Sequence, residues 1–424
     1  MRQKPTLAAS SHAAAFRSVD LVAGTLGWFA AGLLGCDSSL QPAAPDDPGE
    51  LLDGGVADIE VYDGPDTRRL PYTCEAPEDC NDDDICTEDD CNDGTCTYTA
   101  KSIDFSPVVI ETAAPALDIA MYGGRLFVAE GEDGVEVFNI WDLEEPELDA
   151  TIETEKPALA VTVISGNLIV SEGSNGIESF SVPDYELQQH VAADSSYLNG
   201  ADDIYSIDLG SHYLLVSGFT DGLLLLDRSD LSAPSPVALL QTQGRAIKAA
   251  STWRTAIVAD SLGGAAIVNF NGDDGPEVTE QMTTDGRAVD VDLRLYTGVV
   301  AEYGAGFRVL DLTDVTEPVQ LVSYPATVPV TAVGLIGSQT LVVGDERGTL
   351  RLFDVSVQYT GREETDDNGN VTPLADAAAP ELIDSWGGAG SALRFDIRND
   401  MIAVAMSDGG AVVIDTGCYI EEEE

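Results

Sequence analysis

The chain has 424 residues, of which 44% are hydrophobic, and its formal charge is −55 at pH 7. The length fits two or three average domains, or one large all-β domain with appendages. Such acidity repels phosphate backbones and anionic lipid headgroups, which makes nucleic acid a poor partner. Cations or a basic partner are favoured instead, although solubility alone would also account for the charge.

The N-terminus carries the features of an export signal. Arg2, Lys4 and Arg17 precede an apolar stretch of about fifteen residues, which is short for a membrane-spanning helix and fits the core of a secretory signal. The stretch ends in LLGC, with the small Gly35 immediately before Cys36. This ending resembles the lipobox of bacterial lipoproteins.

The lipobox resemblance implies that residues 1–35 are a lipoprotein signal peptide and that Cys36 carries the lipid. An ordinary signal peptide with an incidental cysteine is the alternative. A lipoprotein would be exported and attached to a membrane of the cell envelope, at the outer membrane or cell surface in preference to the inner membrane. Residues 36–72 are acidic, proline-bearing and without periodicity, so they predict a disordered tether.

Residues 73–100 are rich in aspartate and contain five cysteines: Cys74, Cys80, Cys86, Cys91 and Cys96. In an exported chain this density predicts a small disulfide module, because so few residues cannot bury a core unaided. A zinc site is the alternative, but the segment has neither a C-x-x-C pair nor a histidine. The spacing resembles the Asp-rich C-T-x-D-x-C modules of bacterial surface proteins.

The module raises two further expectations. Asp82, Asp84 and Asp89 are candidate calcium ligands, since hard cations take clustered oxygens. Solvated acid explains the same residues, and the segment lacks the glycine that an EF-hand loop needs. Cys418 adds a sixth thiol to the five of the module, which allows three bridges and predicts that the end of the chain meets the module.

A pattern of two apolar runs around a Gly-bearing turn recurs seven times along the chain. The copies begin at residues 126, 168, 214, 256, 298, 341 and 402, as in LFVAEGEDGVEVFN at 126. The step is about 42 residues, with four short strands per repeat, which predicts an all-β, seven-bladed β-propeller over residues 104–418. A polar insert over 359–380 delays the last copy, and residues 419–424 form an acidic tail.

The copies resemble the LVIVD repeat family of bacterial surface β-propellers. Blade one carries the matching residues Ala116, Asp118, Ile119, Ala129, Glu130, Gly134, Val137 and Asn139. The resemblance covers residues 104–418 and implies the propeller fold, but no particular chemistry. Ring closure is predicted from the strand inventory: the seventh copy has no fourth strand after it, and residues 106–112 ahead of the first copy supply a spare one.

One position of the recurring pattern is acidic in five of the copies. It holds, in chain order, Glu130, Glu172, Gly218, Asp260, Glu302, Asp345 and Met406. Asp260 is expected to pair with Arg245 upstream, and Glu302 is expected to pair with Arg287 in the same way.

The other three acids, Glu130, Glu172 and Asp345, have no matching upstream cation. They are therefore the candidate cation or ligand site of the ring, with calcium as the candidate cofactor. The alternative is turn chemistry, because acids that precede a Gly-rich turn accept backbone N–H groups.

Catalytic signatures are scarce. The chain has three histidines, His12, His190 and His212, and no H-E-x-x-H, G-x-S-x-G or P-loop motif. We therefore predict a non-enzymatic cell-envelope lipoprotein whose propeller is a binding or scaffolding surface for an envelope protein or a small ligand. The alternative is a propeller hydrolase or lyase that uses ring carboxylates, since a fold of this kind supports many functions.

Overall fold

The computed structural model of the protein describes most of the chain from Cys74 onward. The described residues are 74, 76, 80, 87–92, 94–100, 105–182, 184–192, 204–210, 213–218, 222–229, 235–272, 275–337, 340–355, 357–365, 371–377, 379–398 and 401–417. The predicted signal peptide with Cys36, the tether and the acidic tail lie outside them, as do Asp82, Asp84, Cys86 and Cys418. Across the described part of the chain, no helix is long and apolar enough to span a membrane.

The N-terminal module contains a disulfide-linked hairpin. Strands β1 (Thr87–Asn92) and β2 (Thr95–Ala100) pair in antiparallel register. Cys74 is bridged to Cys91 with a Cα–Cα distance of 5.8 Å, and its backbone N–H donates to the Gly94 carbonyl at 3.2 Å. Cys80 is disulfide-bonded as well. These bridges agree with the predicted disulfide module, and they supply the cross-links that a segment without a core of its own requires.

Seven four-stranded antiparallel sheets follow, each a propeller blade. Their strands include β3 (Val108–Ile110), which belongs to the last blade. Blades one to three contain β4 (Asp118–Tyr122), β5 (Arg125–Ala129), β6 (Val135–Asn139), β7 (Glu147–Ile152), β8 (Ala160–Ile164), β9 (Asn167–Ser171), β10 (Gly176–Ser181), β11 (Leu187–Ala192), β12 (Ser206–Leu209), β13 (Tyr213–Ser217), β14 (Leu223–Asp227) and β15 (Ser235–Leu240). A single-turn 3₁₀ helix, Gly173–Asn175, joins β9 to β10.

Blades four to seven continue the same order, with one insertion. Their strands are β16 (Lys248–Ser251), β17 (Thr255–Ala259), β18 (Ala265–Asn269), β19 (Glu277–Met282), β20 (Arg287–Arg294), β21 (Thr297–Tyr303), β22 (Gly306–Asp311), β23 (Val319–Pro325), β24 (Val330–Leu335), β25 (Thr340–Asp345), β26 (Thr349–Asp354), β27 (Val357–Thr365), β28 (Val371–Ala377), β29 (Glu381–Gly387), β30 (Ala392–Arg398), β31 (Met401–Met406) and β32 (Gly410–Asp415). The predicted polar insert is the hairpin β27–β28, which interrupts blade six before its outer strand β29.

The ring closes as predicted. Strand β3 is the outer strand of blade seven and pairs with β32, with Val108 opposite Val413 and Ile110 opposite Ala411. Phe105, just ahead of β3, packs into the hydrophobic cluster between blades six and seven. The beginning and the end of the propeller are therefore in one sheet, which leaves that blade with a full set of four strands.

The hydrophobic core is divided among the junctions between blades. Seven clusters of buried apolar side chains are present, and each contains residues of two neighbouring blades. The cluster between blades one and two, for example, contains Phe127 on one side and Leu168 on the other. Neighbouring blades cover both faces of each blade, so nearly all side chains of its middle strands are buried and apolar. Strand β17, with all five residues buried, is an example.

A glycine begins or precedes the third strand of every blade. All seven have a positive φ, between 74° and 126°: Gly134, Gly176, Gly222, Gly264, Gly306, Gly348 and Gly410. At Gly264 a Cβ atom would collide with the carbonyl oxygen of Met282 on the neighbouring outer strand. Only glycine satisfies both the left-handed backbone and this close approach, which explains why the pattern keeps it in every copy.

We expect Gly264→Ala to lower the free energy of unfolding by about 1–3 kcal/mol, because alanine strains the positive-φ backbone and displaces β19. Urea denaturation followed by circular dichroism measures the change. Gly275→Ala is the matched control: Gly275 also has a positive φ, but a Cβ there meets open space. An equal loss in both variants would contradict the part of the effect that we assign to close packing.

Candidate functional site

The innermost strands of the seven blades lie side by side around a central channel. The channel contains a cavity of about 430 Å³, and every blade contributes lining residues. The lining extends past the ends of β16 and β20 to Trp253 and Leu295 in the turns that follow. The cavity is therefore reached from the face of the ring where the innermost strands end.

Charged side chains of both signs line this cavity. They are Asp118, Asp208, Lys248, Asp292, Arg294, Asp396 and Arg398. Lys248 Nζ lies 3.3 Å from Oδ1 of the fully buried Asp290. Burial alone would lower the pKa of Lys248, but the carboxylates of Asp290 and Asp208 raise it above its ordinary value, so the ammonium stays charged.

The buried carboxyl groups of the channel respond in the opposite way. Burial raises the pKa of Asp118 to about 7, although Arg394 and the backbone N–H of Val161 oppose the rise. Burial also raises the pKa of Asp208 and of Asp292. The channel is thus a polar interior with one ammonium held among several aspartates.

These aspartates connect neighbouring blades. A carboxylate oxygen on one innermost strand accepts the backbone N–H of the next innermost strand at four junctions: Asp118 from Val161 (3.0 Å), Asp208 from Ala249 (3.4 Å), Asp290 from Val333 (2.9 Å) with Asp292 from Leu335 (2.7 Å), and Asp396 from Met121 (2.6 Å). The last of these bonds joins blade seven to blade one. Asp118 is one of the residues that match the repeat pattern, and its bond to Val161 explains why the pattern has an aspartate at this position.

The recurring acids lie at the rim, on the face opposite the end of the innermost strands, and most hold the connection into their own blade. Glu172 Oε1 accepts the Lys156 N–H at 2.8 Å. Asp260 Oδ2 accepts the Gly244 N–H at 2.6 Å, and Glu302 accepts the Asp285 N–H at 2.8 Å. These N–H groups belong to the connection that precedes the blade and not to the Gly-rich turn of the alternative; Asp345 is the acid that accepts from its own turn, through the N–H groups of Arg347 and Thr349.

The predicted arginine partners are wrong. Glu302 pairs with Arg308 on the next strand, whereas the guanidinium of Arg287 lies over the ring of Tyr303. The side chain of Asp260 is bound by Thr242, Gly244 and Gln281, and Arg245 reaches Asp260 through its backbone N–H to the carbonyl.

Asp345, predicted to lack a cation, has one in Arg351, whose Nη1 is 2.8 Å from Oδ2. The arginine that pairs with an acid of the turn lies six residues after it, across the β-hairpin, whereas the prediction looked fifteen residues before it. Arg308 stands in that register to Glu302, and Arg351 to Asp345.

In blades one and two the facing position holds a second acid. Glu136 stands opposite Val128, beside Glu130, and Ala113 N–H donates to Glu136 Oε2 at 3.2 Å. Glu130 is 3% exposed, and its carboxyl group lies against the Glu136 carboxyl group and the backbone N–H of Ala114. Burial and the neighbouring Glu136 raise the pKa of Glu130 to about 8, so this acid pair holds a proton at neutral pH.

Blade two has the same acid pair with a histidine added. Glu178, beside Glu172, is 3% exposed, and its pKa is raised to about 7 by burial and by the charge of Glu172. His190 Nδ1 lies 3.7 Å from Glu178 Oε1 and 3.4 Å from Glu155 Oε2. From the sequence, His190 is only one of three histidines; its nearness to Glu178 follows from the strand register, in which the two residues are opposite.

The structure does not join the three predicted acids into one site. Glu130, Glu172 and Asp345 each make contacts within their own blade, and none of them lines the channel cavity. In the module, Asp89 lies on β1 opposite Tyr98, which places its backbone but not a calcium site. The calcium prediction for Asp82, Asp84 and Asp89 stays a prediction.

The sequence matches no protein-family model and no curated protein. Solved structures match in large number, 1497 chains, as expected for a fold that hosts many functions. The structure of U3-55K is similar with a TM-score of 0.53 at 10% identity, and the alignment covers 74% of this chain and 98% of that one. At this identity the likeness shows the fold alone: a seven-bladed β-propeller. The LVIVD resemblance stays a prediction.

We expect stability to fall as pH rises from about 4.5 to 8, in part because of Glu130. Its pKa is raised from 4.5 to about 8, so the folded protein binds the proton more tightly than the unfolded chain. The resulting stability is complete below pH 4.5 and is lost as pH rises through about 8. Urea denaturation at several pH values measures it.

Glu130→Gln should flatten this pH dependence, because its amide carries no titrating proton. The control is Glu132→Gln, which removes a carboxylate from the exposed turn of the same blade. If both variants keep the slope of the parent, the proton is not held at Glu130.

Proposed function

We propose that the protein is a non-enzymatic, exported lipoprotein of the cell envelope whose propeller binds a partner through the central channel. The observation that carries this proposal is the cavity of about 430 Å³ to which all seven blades contribute. A concave site with a few fixed polar groups is the usual form of a ligand site. The partner is either a small ligand or a projecting segment of an envelope protein.

The mouth of the channel indicates the chemistry of the ligand. Arg294 and Trp253 lie in the lining at the end where the cavity is reached, and the Arg254 guanidinium covers one face of the Trp253 ring, 3.8 Å from its centroid. Arg398 lies in the same lining, with its Nε 3.0 Å from Asp396 Oδ1. Guanidinium groups favour carboxylates and phosphates, and indole favours flat or cationic groups. A ligand with an anionic group and an apolar or planar part fits this mouth.

Binding is favoured over catalysis by the use of the channel carboxylates. A hydrolase or lyase would need two carboxyl groups that are free to act as acid and base. Asp118, Asp292 and Asp396 each use a carboxylate oxygen to hold the neighbouring blade. Binding therefore accounts better than a hydrolase or lyase for the described carboxyl groups of the channel, since these three already hold neighbouring blades together.

Export is supported by the disulfide chemistry of the module. The bridge from Cys74 to Cys91 fits an oxidising compartment, because cytosolic thiols are kept reduced. The LLGC ending of the apolar N-terminal stretch supports lipidation at Cys36. The resemblance to the LVIVD repeats of bacterial surface proteins also supports a location at the cell surface.

We expect the double substitution Trp253→Ala and Arg294→Ala to abolish partner capture while the fold is kept, because both residues lie at the cavity mouth. Affinity purification from detergent-solubilised envelopes, followed by quantitative mass spectrometry, compares this variant with the parent.

The control variant is Trp141→Ala with Arg125→Ala. It also removes one indole and one guanidinium, but from positions outside the cavity lining. Partners that are lost from both variants, or from neither, would contradict binding through the channel.

We expect Cys36→Ser to move the protein from the membrane fraction to the soluble fraction, or to leave the precursor unprocessed, because serine cannot carry the thioether-linked lipid. Fractionation with immunoblotting measures both outcomes. Ser38→Ala, in the same segment, should behave as the parent does. Membrane association of a cleaved Cys36→Ser protein would contradict the lipoprotein assignment without affecting the channel.

A further inference from the structure

Three metal-ligating side chains converge at the rim of blade two. The ligand atoms of Glu155, Glu178 and His190 all lie within 4.8 Å of one another. His190 Nδ1 is 3.4 Å from Glu155 Oε2 and 3.7 Å from Glu178 Oε1. Ligands of a tetrahedral zinc ion, each about 2.0–2.2 Å from the metal, are about 3.3–3.6 Å apart. The spacing around Nδ1 matches that arrangement closely.

The hydrogen bond on the other ring nitrogen fixes the direction of the imidazole. His190 Nε2 is 3.0 Å from the carbonyl oxygen of Asn175, and a carbonyl can only accept. Nε2 therefore carries a hydrogen, and in the neutral imidazole the lone pair of Nδ1 faces the two carboxylates. Metal-bound histidines make this same bond, with the second ring N–H donated to a backbone carbonyl.

A comparison among the blades shows that, in the described part of the chain, the acids at this part of the rim have no lysine or arginine ion pair. The position of Glu178 is occupied by Arg308 in blade five and by Arg351 in blade six, and each arginine neutralises the acid of its own turn. In blade two the acids Glu172 and Glu178 stand together, and no lysine or arginine among the described residues forms an ion pair with either. Buried acids without a counter-charge are costly unless a proton or a metal ion joins them.

We propose that Glu155, Glu178 and His190 bind one divalent transition-metal ion of the zinc class at the rim of blade two. The imidazole selects this class, because calcium and magnesium prefer ligand sets made of oxygen atoms. Glu155 is the exposed member, with 61% of its side chain accessible, and it provides a path for the ion from solvent. The ion takes the place that a guanidinium holds in blades five and six.

The site is independent of partner binding through the channel, because none of its three ligands lines the cavity. It also differs from the calcium site predicted from sequence, which used Glu130, Glu172 and Asp345. Of those three, only Glu172 lies near the zinc site: Asn175 Nδ2 donates to Glu172 Oε2, and the carbonyl of the same Asn175 accepts from His190. The 3₁₀ turn that contains Asn175 thus connects the acid of the rim to the histidine.

The test uses the full-length, disulfide-intact protein in detergent and zinc supplied from a metal buffer, with magnesium at matched ionic strength as the control for charge screening. Equilibrium dialysis with metal analysis measures the zinc that is bound. We expect the parent to hold one zinc equivalent more than His190→Gln or Glu155→Gln. His212→Gln, the same substitution at the other histidine of the mature chain, should keep this equivalent.

A spectroscopic readout separates a metal from a proton. In ¹⁵N-labelled protein, zinc should shift the Nδ1 resonance of His190 and leave Nε2 protonated. Glu155→Gln changes an exposed side chain, so it reports on the site even if a variant at the buried Glu178 fails to fold. Equal zinc content in the parent and in His190→Gln overturns the proposal, as does a protonated Nδ1 that zinc does not displace.

Discussion

The contact between neighbouring blades is the interaction on which the rest of this structure depends. A single four-stranded sheet cannot bury both of its apolar faces, and every hydrophobic cluster described here is shared by two blades. The innermost strands add carboxylate bonds across four of these junctions, of which Asp396 to Met121 connects the last blade to the first. The contacts between blades therefore provide most of the stability. Each blade needs a neighbour on both sides, so the blades form a closed ring, and the channel is the space at its centre.

The same construction explains how one framework carries different chemistry. The turn acid and the residue six positions later lie side by side in blades one, two, five and six, and the identity of the second residue changes between these blades without a change of fold. An arginine gives an ion pair in blades five and six, and a second glutamate gives an acid pair in blades one and two. A glutamate in place of the arginine at this position gives a pair of acids that can share a proton or contribute to a metal site, while the glycine of the turn stays the same.

Much of the fold could be predicted from the sequence because its signals are local and repeated. The seven apolar hairpins, the glycine turns and the spare strand at residues 106–112 all rest on patterns within a few residues. The side-chain partners could not be predicted with the same success. Lys248 meets Asp290 across two blades, and Arg351 meets Asp345 across a hairpin whose register has to be known. The register of β25 and β26 could have been predicted from the sequence, because the two strands form one hairpin. The contact between Lys248 and Asp290 could not, because it depends on how the innermost strands of neighbouring blades are staggered.

The closing strand also sets the order in which this protein can be completed. Val108 emerges from the ribosome long before its partner Val413. Until then β3 has no strand to pair with, because the other three strands of blade seven, β30 to β32, come at the end of the propeller. Contacts this distant in sequence form late, because the entropy of closing so long a loop has to be overcome first. A lipid at the N-terminus would hold β3 near the membrane during this interval, so the final blade would be completed beside the bilayer and not at the point of synthesis.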